Sequence, residues 1–115
     1  MLAKNRRIQR KMFDTILKSG RKYFSDSFIL YIAKFTQEEA GHPSKFSFSV
    51  SKKVSKLAVS RNRLRRRGYS VISKHIKRVG GGYFCFFVYK KGFKEEYSVV
   101  ESEILGLLST SGVII

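Results

Sequence analysis

Residues 46–67 read FSFSVSKKVSKLAVSRNRLRRR, and the spacing of their apolar residues changes partway along. At residues 45–51, Phe46, Phe48 and Val50 alternate with serines, which predicts a β-strand with one apolar face and one polar face. The polar face carries small side chains and leaves room for a ligand to approach. The apolar spacing then becomes that of an α-helix, so the stretch predicts a strand that leads into a long basic helix.

The predicted helix extends from about residue 55 to residue 79. One stripe of its helical wheel carries Leu57, Leu64, Val71 and His75, with Ile72 and Val79 beside it. Arginines occupy most of the remaining circumference, so this stripe is predicted to be the apolar side of the helix. Three consecutive glycines at residues 80–82 are predicted to end the helix.

Two further elements are predicted upstream. Residues 9–19 place apolar side chains at helical spacing and are followed by Gly20, a typical helix stop. Residues 27–35 read SFILYIAKF, which is rich in β-branched and aromatic residues and predicts a strand. One face of this strand is predicted to carry Phe28, Leu30 and Ile32, and the other Ile29, Tyr31 and Ala33. Residues 36–44 then predict a turn.

The last part of the chain predicts one strand and one helix. Residues 83–89 read YFCFFVY, and so uniformly apolar a run predicts a strand buried on both faces. Residues 95–109 predict an amphipathic helix. The order is therefore helix, strands, helix, strand, helix, and residues 1–115 are expected to form one α+β domain.

The charge of the chain is large and unevenly placed. The formal net charge is +16, and eleven of the 24 lysines and arginines lie in residues 52–78. No acid occurs between residues 40 and 94. An ordinary solvated helix face mixes charges of both signs, so a plain solvated face is the weaker interpretation. A nucleic acid is the expected partner.

Other classes of function have less support. The apolar runs are too short to span a bilayer and the first residues do not form a signal peptide, so a cytoplasmic protein with no membrane partner is expected. The single cysteine, Cys85, lies amid aromatic residues and is expected to be a buried thiol. His75 falls on the apolar stripe, His42 falls in the predicted turn, and no spacing suits a zinc site. No catalytic or metal-binding residue is therefore expected in this chain.

Residues 46–67 resemble the signature of the bacterial ribonuclease P protein subunit, in which a strand ends in a Ser-Lys-Lys-like turn and leads into a helix with an Arg-Asn-Arg core. The matching positions are Ser51, Lys52, Lys53, Ala58, Arg61, Asn62, Arg63, Arg65 and Arg66. Residues 12–20 look like the family's first helix, and residues 28–31 look like its Phe-x-x-Tyr strand. The resemblance covers almost the whole chain, and the strand, turn and tripeptide together make it specific.

The chain departs from the family pattern at a few positions. They are Leu17 in place of a second aromatic residue, Ser47 in place of a common glycine, Tyr69 and Ser70 in place of an Arg-Glu pair, and Gly68 within the basic helix. Gly68 is unexpected because an interior helical glycine costs about 0.5 to 1 kcal/mol relative to alanine.

The resemblance implies a single-domain two-layer sandwich of order α-β-β(-β)-α-β-α, with a ribosomal protein S5 domain 2-like fold. It also implies that the protein joins a large catalytic RNA, and that the complex cleaves precursor tRNA endonucleolytically to leave the mature 5′ end. The RNA and its bound Mg²⁺ are expected to carry the chemistry, and the protein alone is expected to hold no metal ion. No obligate protein partner is evident.

The expected contacts divide between two surfaces. The catalytic RNA is expected to contact Lys52, Lys53, Arg61, Asn62, Arg63, Arg65 and Arg66. A guanidinium group can donate a pair of parallel hydrogen bonds to one phosphate. The resemblance also implies a cleft between the first helix and the sheet that holds the single-stranded 5′ leader, with Phe13, Leu17, Tyr31, Ser49 and Ser51 as its expected residues. Phe13 and Tyr31 are the stacking candidates, because unpaired bases stack on aromatic rings. A place in the core is the alternative for both aromatic residues, and plain solvent exposure is the alternative for both serines.

Two other functions are compatible with parts of the sequence. A structural ribosomal or general RNA-binding protein would have the same composition, although the joined strand, turn and Arg-Asn-Arg helix favour ribonuclease P. A cationic membrane-active protein is a weaker interpretation, because the strand pattern predicts a packed domain rather than exposed amphipathic helices.

Overall fold

The computed structural model describes residues 6–35 and 41–114. Its helices and strands are, in chain order, α1 (Phe13–Ser19), β1 (Arg21–Phe24), β2 (Phe28–Lys34), β3 (Lys45–Ser49), α2 (Ala58–Lys74), β4 (Tyr83–Tyr89) and α3 (Tyr97–Thr110). Short 3₁₀ turns precede α1 and follow α2, at Arg10–Met12 and Ile76–Arg78. The observed order confirms the predicted α+β class, and β1 is the optional strand of the predicted order.

The strands form one sheet in the order β1-β2-β4-β3. β4 pairs antiparallel with β2 on one edge and parallel with β3 on the other. Side chains on both faces of β4 are covered by other elements. This central position explains why residues 83–89 are apolar without alternation, and it confirms that prediction.

One face of the sheet packs against α2 and α3, and we call it the closed face. Phe28, Phe48 and Phe87 meet there with ring centroids 4.8 to 6.4 Å apart, and each is at most 2% exposed. Tyr89 joins them and donates its hydroxyl hydrogen to the Leu64 carbonyl at 2.9 Å. Sheet and helices thus make the two layers of the sandwich, with the one polar group of Tyr89 satisfied.

Cys85 also lies on the closed face, where it is fully buried as predicted. Burial raises the pKa of its thiol far above the ordinary value, because the surroundings disfavour the thiolate. The thiol therefore acts as a small apolar group of the core.

The opposite face carries α1 and the segment before it, and we call it the open face. Its buried cluster is smaller and consists of Ile8, Ile16, Phe84 and Phe86. The residues of β2 that point to this face are half-buried, whereas those that point to the closed face are buried, as the alternation predicts. Because α1 has only seven residues, it leaves part of this face accessible.

The prediction of a helix over residues 55–79 was wrong at both ends. α2 begins at Ala58 and ends at Lys74. Leu57 precedes the helix and is 64% exposed, so it does not belong to the buried stripe. His75 caps the helix. Its N–H donates to the carbonyls of Val71 and Ile72, both at 3.2 Å, but its own backbone leaves the helical conformation, with φ −110° and ψ 17°.

The three glycines at residues 80–82 do not end α2; they allow a close approach of two segments. Gly82 has a φ of 87°, which favours glycine, and its N–H donates to the His42 carbonyl at 3.0 Å. A Cβ on Gly81 would lie 3.0 Å from the same carbonyl. The segment before β3 can therefore lie against the start of β4. Residues 36–40 of the predicted turn lie outside the described residues.

Gly68, the unexpected glycine of α2, is explained by its neighbour in the core. It is buried, and a Cβ at this position would lie 2.5 Å from the ring of Phe48. The ring therefore occupies the space that a side chain would need. The helix gives up some intrinsic stability and gains a close contact with β3.

A carboxylate ties α3 to the turn between β1 and β2. Glu103 Oε1 accepts hydrogen bonds from the Ser25 hydroxyl at 2.6 Å and from the Ser27 N–H at 2.7 Å, and Oε2 accepts from the Ser27 hydroxyl at 2.6 Å. Partial burial raises the pKa of this carboxyl, but the hydrogen bonds outweigh burial and leave the pKa below its ordinary value.

None of the helices in the described residues is long and apolar enough to cross a membrane.

Candidate nucleic-acid interface

The basic side chains of α2 project on two sides of the helix. Arg65 and Arg66 project toward the N-terminal segment, and we call this the pocket side. Arg63 and Arg67 project toward Glu95, on the segment that precedes α3. The sequence predicted a basic helix surface, and the structure separates that surface into two parts.

A pocket of about 380 Å³ lies on the pocket side of α2, and we call it the arginine pocket. It is lined by Arg7, Asn62, Arg65, Arg66 and Tyr69. Arg65 donates to the side-chain oxygen of Asn62, which fixes the direction of both groups. Within the described part of the chain, neither Arg65 nor Arg66 forms a salt bridge with a carboxylate. The guanidinium groups of Arg65 and Arg66 therefore face one small volume beside that of Arg7, and an anion there would relieve the repulsion between these two groups.

Arg7 reaches this pocket because the N-terminal segment follows the edge of β3. The Ile8 N–H donates to the Phe46 carbonyl at 3.1 Å, and Arg7 forms an isolated parallel bridge with Phe46. The Arg7 guanidinium then lies 5.9 Å from the centre of the Tyr69 ring, within cation–π range. Tyr69, a departure from the family pattern, thus positions a cation from another part of the chain.

Residues 61–63, the Arg-Asn-Arg tripeptide, point in three directions. The Arg61 guanidinium donates to the carbonyls of Ser55 and Lys56, at 3.0 and 2.7 Å, and so fixes the loop before α2. Asn62 lines the arginine pocket. Arg63 lies 3.7 Å from the Glu95 carboxylate, but both groups are more than half exposed and this pair adds little stability.

Lys52 and Lys53 stand in the turn that follows β3. Both are exposed, and the Ser51 carbonyl closes the turn by accepting from the N–H groups of Val54 and Ser55 at 3.1 Å. The two ammonium groups therefore extend the basic surface of α2 toward the end of the sheet.

The predicted aromatic residues of the cleft converge on a ring that the sequence did not single out. Phe13 lies 4.9 Å and Tyr31 6.0 Å from Phe86, measured between ring centroids. Both Phe13 and Tyr31 are half-buried, and Leu17 is 43% exposed. The ammonium group of Lys22 lies 5.6 Å from the centre of the Tyr31 ring. Partly accessible rings beside a cation form a surface on which an unpaired base can stack.

A second row of side chains continues this surface along the open face. Strand register places Ser49 beside Val88, Val88 beside Ile29 and Ile29 beside Phe24. Phe24 is 63% exposed, although it is aromatic. Ser49 therefore borders the cleft, whereas Ser51 lies past the end of β3 in the exposed turn.

The structure adds three possible cleft residues that the sequence patterns did not predict: Lys22, Phe24 and Phe86. Phe24 and Lys22 lie on β1, whose four residues show no clear alternation. Phe86 lies in a run of apolar residues in which no spacing distinguishes one face from the other. A sequence feature that could have indicated this part of the cleft is the aromatic pair Tyr23 and Phe24, which directly follows two basic residues.

The histidine of the basic helix has a structural contact. His75 Nε2 lies 3.0 Å from Glu101 Oε2, and Lys74 Nζ lies 3.1 Å from the same oxygen. The hydrogen bonds from His75 and then Lys74 lower the pKa of the Glu101 carboxyl. This cluster joins the end of α2 to α3.

Residues 6–35 and 41–114 contain no group of three or more His, Cys, Asp or Glu residues that could hold a metal ion.

Comparison with known protein families gives one match over nearly the whole chain. The model of the family described as Ribonuclease P matches residues 1–111. The ribonuclease P protein component of Microcystis aeruginosa is 31% identical over 106 residues, covering 91% of this chain and 88% of that protein. The ribonuclease P protein component of Carboxydothermus hydrogenoformans is 35% identical over 97 residues, covering 84% of this chain and 81% of that protein.

Solved structures agree at the level of the fold. The ribonuclease P protein of Staphylococcus aureus superposes with a TM-score of 0.82 at 19% identity, over 98% of this chain and all of that chain. The ribonuclease P protein of Thermotoga maritima gives a TM-score of 0.80 at 20% identity, over 90% of this chain and 96% of that chain.

Proposed function

This chain belongs to the ribonuclease P protein family, and on that premise we propose that it binds the catalytic RNA through α2 and holds the 5′ leader of precursor tRNA on the open face. Membership places the chain in a ribonuclease ribonucleoprotein that processes tRNA. The two binding steps together promote endonucleolytic removal of the leader, which leaves the mature 5′ end.

The arginine pocket is the observation that carries the docking proposal. Arg7, Arg65 and Arg66 converge on one cavity, and each guanidinium offers a planar fork of donors that fits a phosphate. A folded RNA presents many phosphates close together, and a protein with a net charge of +16 attracts such a polyanion. The exposed residues Lys52 and Lys53, and Arg63 on the other side of α2, provide further contacts to the RNA backbone, and Arg61 holds the loop that carries part of the surface.

The leader is assigned to the cleft around Phe86. Phe13 and Tyr31 offer partly exposed rings, Leu17 borders them, and a single-stranded leader has unstacked bases that such rings bind with little sequence preference. Ser49 stands at the edge of the same surface and can donate to a phosphate oxygen. Ser51 is assigned a place where the leader passes from the sheet to the basic turn.

We assign the chemistry and the Mg²⁺ ions to the RNA. Phosphodiester hydrolysis by a protein needs carboxylates or histidines near the scissile bond, to hold metal or to transfer protons. Residues 41–94, which carry the basic surface, contain no Asp or Glu. The protein is therefore assigned a role in binding and positioning.

The docking proposal is tested by reconstitution with a bacterial ribonuclease P RNA. Replacing Arg65 and Arg66 by alanine is expected to weaken assembly and to reduce the log–log slope of affinity against salt by roughly two units, since each lost phosphate contact removes roughly one. The matched control replaces Lys77 and Arg78, which are exposed and lie beyond the end of α2.

An equal change of slope in both double variants would contradict the docking site. Recovery of ribosomal RNA, rather than the catalytic RNA, with the tagged protein would favour a structural RNA-binding protein instead. The RNA-free protein, treated with nuclease, is expected to give no cleavage of precursor tRNA at any Mg²⁺ concentration.

A further inference from the structure

A second pocket opens on the open face beside residues that the leader cleft does not use. Its volume is about 480 Å³. Its lining combines the apolar side chains of Met12, Phe35 and Phe84 with polar ones, namely Gln9, Lys11, His42 and Lys45. We call it the Phe35 pocket.

Backbone hydrogen bonds hold the walls of this pocket in place. The Phe35 N–H donates to the Gly82 carbonyl at 2.8 Å, and the Gly82 N–H donates to the His42 carbonyl at 3.0 Å. The Ser44 hydroxyl accepts from the Tyr83 N–H at 3.0 Å on the same segment. The glycine run thus holds Phe35 and His42 on either side of it, and a ligand would meet a preformed site.

The lining of the Phe35 pocket matches the two parts of a nucleotide. Phe35 packs on Phe84 with ring centroids 4.5 Å apart, and Phe84 is only 6% exposed. The half-buried Phe35 therefore offers the accessible ring on which a base can stack. Lys11 and Lys45 also line the pocket, and their ammonium groups suit a phosphate.

The position of the pocket indicates which nucleic acid would reach it. Phe84 of the pocket and Phe86 of the cleft are alternate residues of β4 on the same face, about 6 to 7 Å apart along the strand. A single strand bound in the cleft can therefore continue directly into the pocket. We propose that the Phe35 pocket binds one unpaired nucleotide of the 5′ leader, with its base on Phe35 and its phosphate at Lys11 and Lys45. This inference rests on the proposed binding of the leader to the open face.

The test measures the affinity of the reconstituted holoenzyme for precursor tRNAs whose leaders are shortened one nucleotide at a time. Affinity of the natural protein is expected to rise with leader length and then to level off. The Lys11→Ala/Lys45→Ala variant is expected to level off at a shorter leader, with affinity for the longest leader about tenfold weaker and affinity for the shortest unchanged. Phe35→Leu keeps an apolar side chain but removes the ring. Its affinity for precursor tRNA is also expected to level off at a shorter leader than that of the natural protein.

The matched control is Lys34→Ala/Lys77→Ala, which removes the same charge from exposed positions outside the pocket. If the pocket variant and this control level off at the same leader length as the natural protein, the inference is wrong and leader binding to the cleft still stands. If the natural protein shows no dependence on leader length, the proposed function and the inference both fail. Unfolding midpoints establish that the variants are folded, and Lys11→Ala alone, at an exposed position, replaces the double variant if Lys45→Ala destabilises the chain.

Discussion

The two faces of the sheet use similar residues for different purposes. On the closed face, Phe87 is fully buried among other rings beneath two long helices. On the open face, its neighbour Phe86 meets the half-buried Phe13 and Tyr31, and the described elements that pack on this face are the short α1 and the segment before it. The difference lies in the covering helices rather than in the strand. Full cover makes aromatic residues a core, and partial cover leaves a surface on which a ligand can bind.

The largest expected effect is on the closed face. Phe87→Ala is expected to lower the free energy of unfolding by about 3 to 5 kcal/mol, since it removes a buried ring and leaves a cavity. Phe13→Ala is expected to cost less than half as much, because that ring is already partly solvated. Urea unfolding of the two variants measures the difference, and equal costs would show that the open face is simply a second core.

A second prediction concerns binding at the open face. Tyr31→Ala is expected to weaken holoenzyme affinity for precursor tRNA by about 1 to 3 kcal/mol, the contribution of one base stack, and to leave assembly with the catalytic RNA intact. Mature tRNA, which has no leader, is the control and should bind equally well to both proteins. A folded Tyr31→Ala protein that weakens both tRNAs equally would remove Tyr31 from the leader site.

A third and smaller effect is expected at Gly68. Helix propensity alone predicts that alanine at this position stabilises the chain, whereas the structure predicts that it destabilises the chain. Gly68→Ala is expected to destabilise the chain by about 1 to 2 kcal/mol, because the new methyl group overlaps the Phe48 ring and this cost exceeds the usual gain from alanine. The measurement is urea unfolding of Gly68→Ala, Phe48→Leu and the double variant. A smaller side chain at position 48 should relieve the overlap, and strictly additive costs would argue that Phe48 is not the obstacle.

The smallest expected effect concerns Glu103, which holds α3 over the closed face. Glu103→Gln is expected to cost about 1 kcal/mol at neutral pH, a modest value because the carboxylate is partly exposed. The folded-state pKa is lowered, so the stabilisation is present above the unfolded value near 4.5 and is lost as pH falls through the lower folded value. Unfolding midpoints of the two proteins should therefore converge in acid. A constant difference across this range would contradict the assigned hydrogen bonds.

The contrast between the faces was only partly visible in the sequence. The alternation in β2 and β3 identified which residues point to each face, because a strand repeats every two residues. The residue pattern did not locate β1, which was expected only as an optional strand of the family's order, since a four-residue edge strand with two bases carries little pattern. The end of α2 was misplaced because Val79 continues the helical spacing after the helix has closed at His75.

The candidate site was less predictable than the fold. The sequence identified α2 as a basic surface, but the arginine pocket also requires Arg7, which is distant in the chain and reaches the pocket through backbone pairing with β3. It also gave Arg61 and Arg63 the same expected role, whereas Arg61 bonds the loop before the helix. Side-chain direction depends on tertiary contacts that residue spacing does not encode.

Burial of Cys85 has a practical consequence for labelling experiments. A protonated thiol inside the sheet is inert toward maleimides and disulfide reagents, because the thiolate is the reacting species and the reagent cannot reach it. A cysteine introduced at Phe24 would then be the one reactive thiol of the chain, and a fluorophore attached there could report on the leader from a known position. When Cys85 itself does react, the rate would report how often α2 and α3 move away from the closed face, because those helices cover its side chain. Cys85 therefore adds no background to the first measurement and gives the rate of local opening in the second.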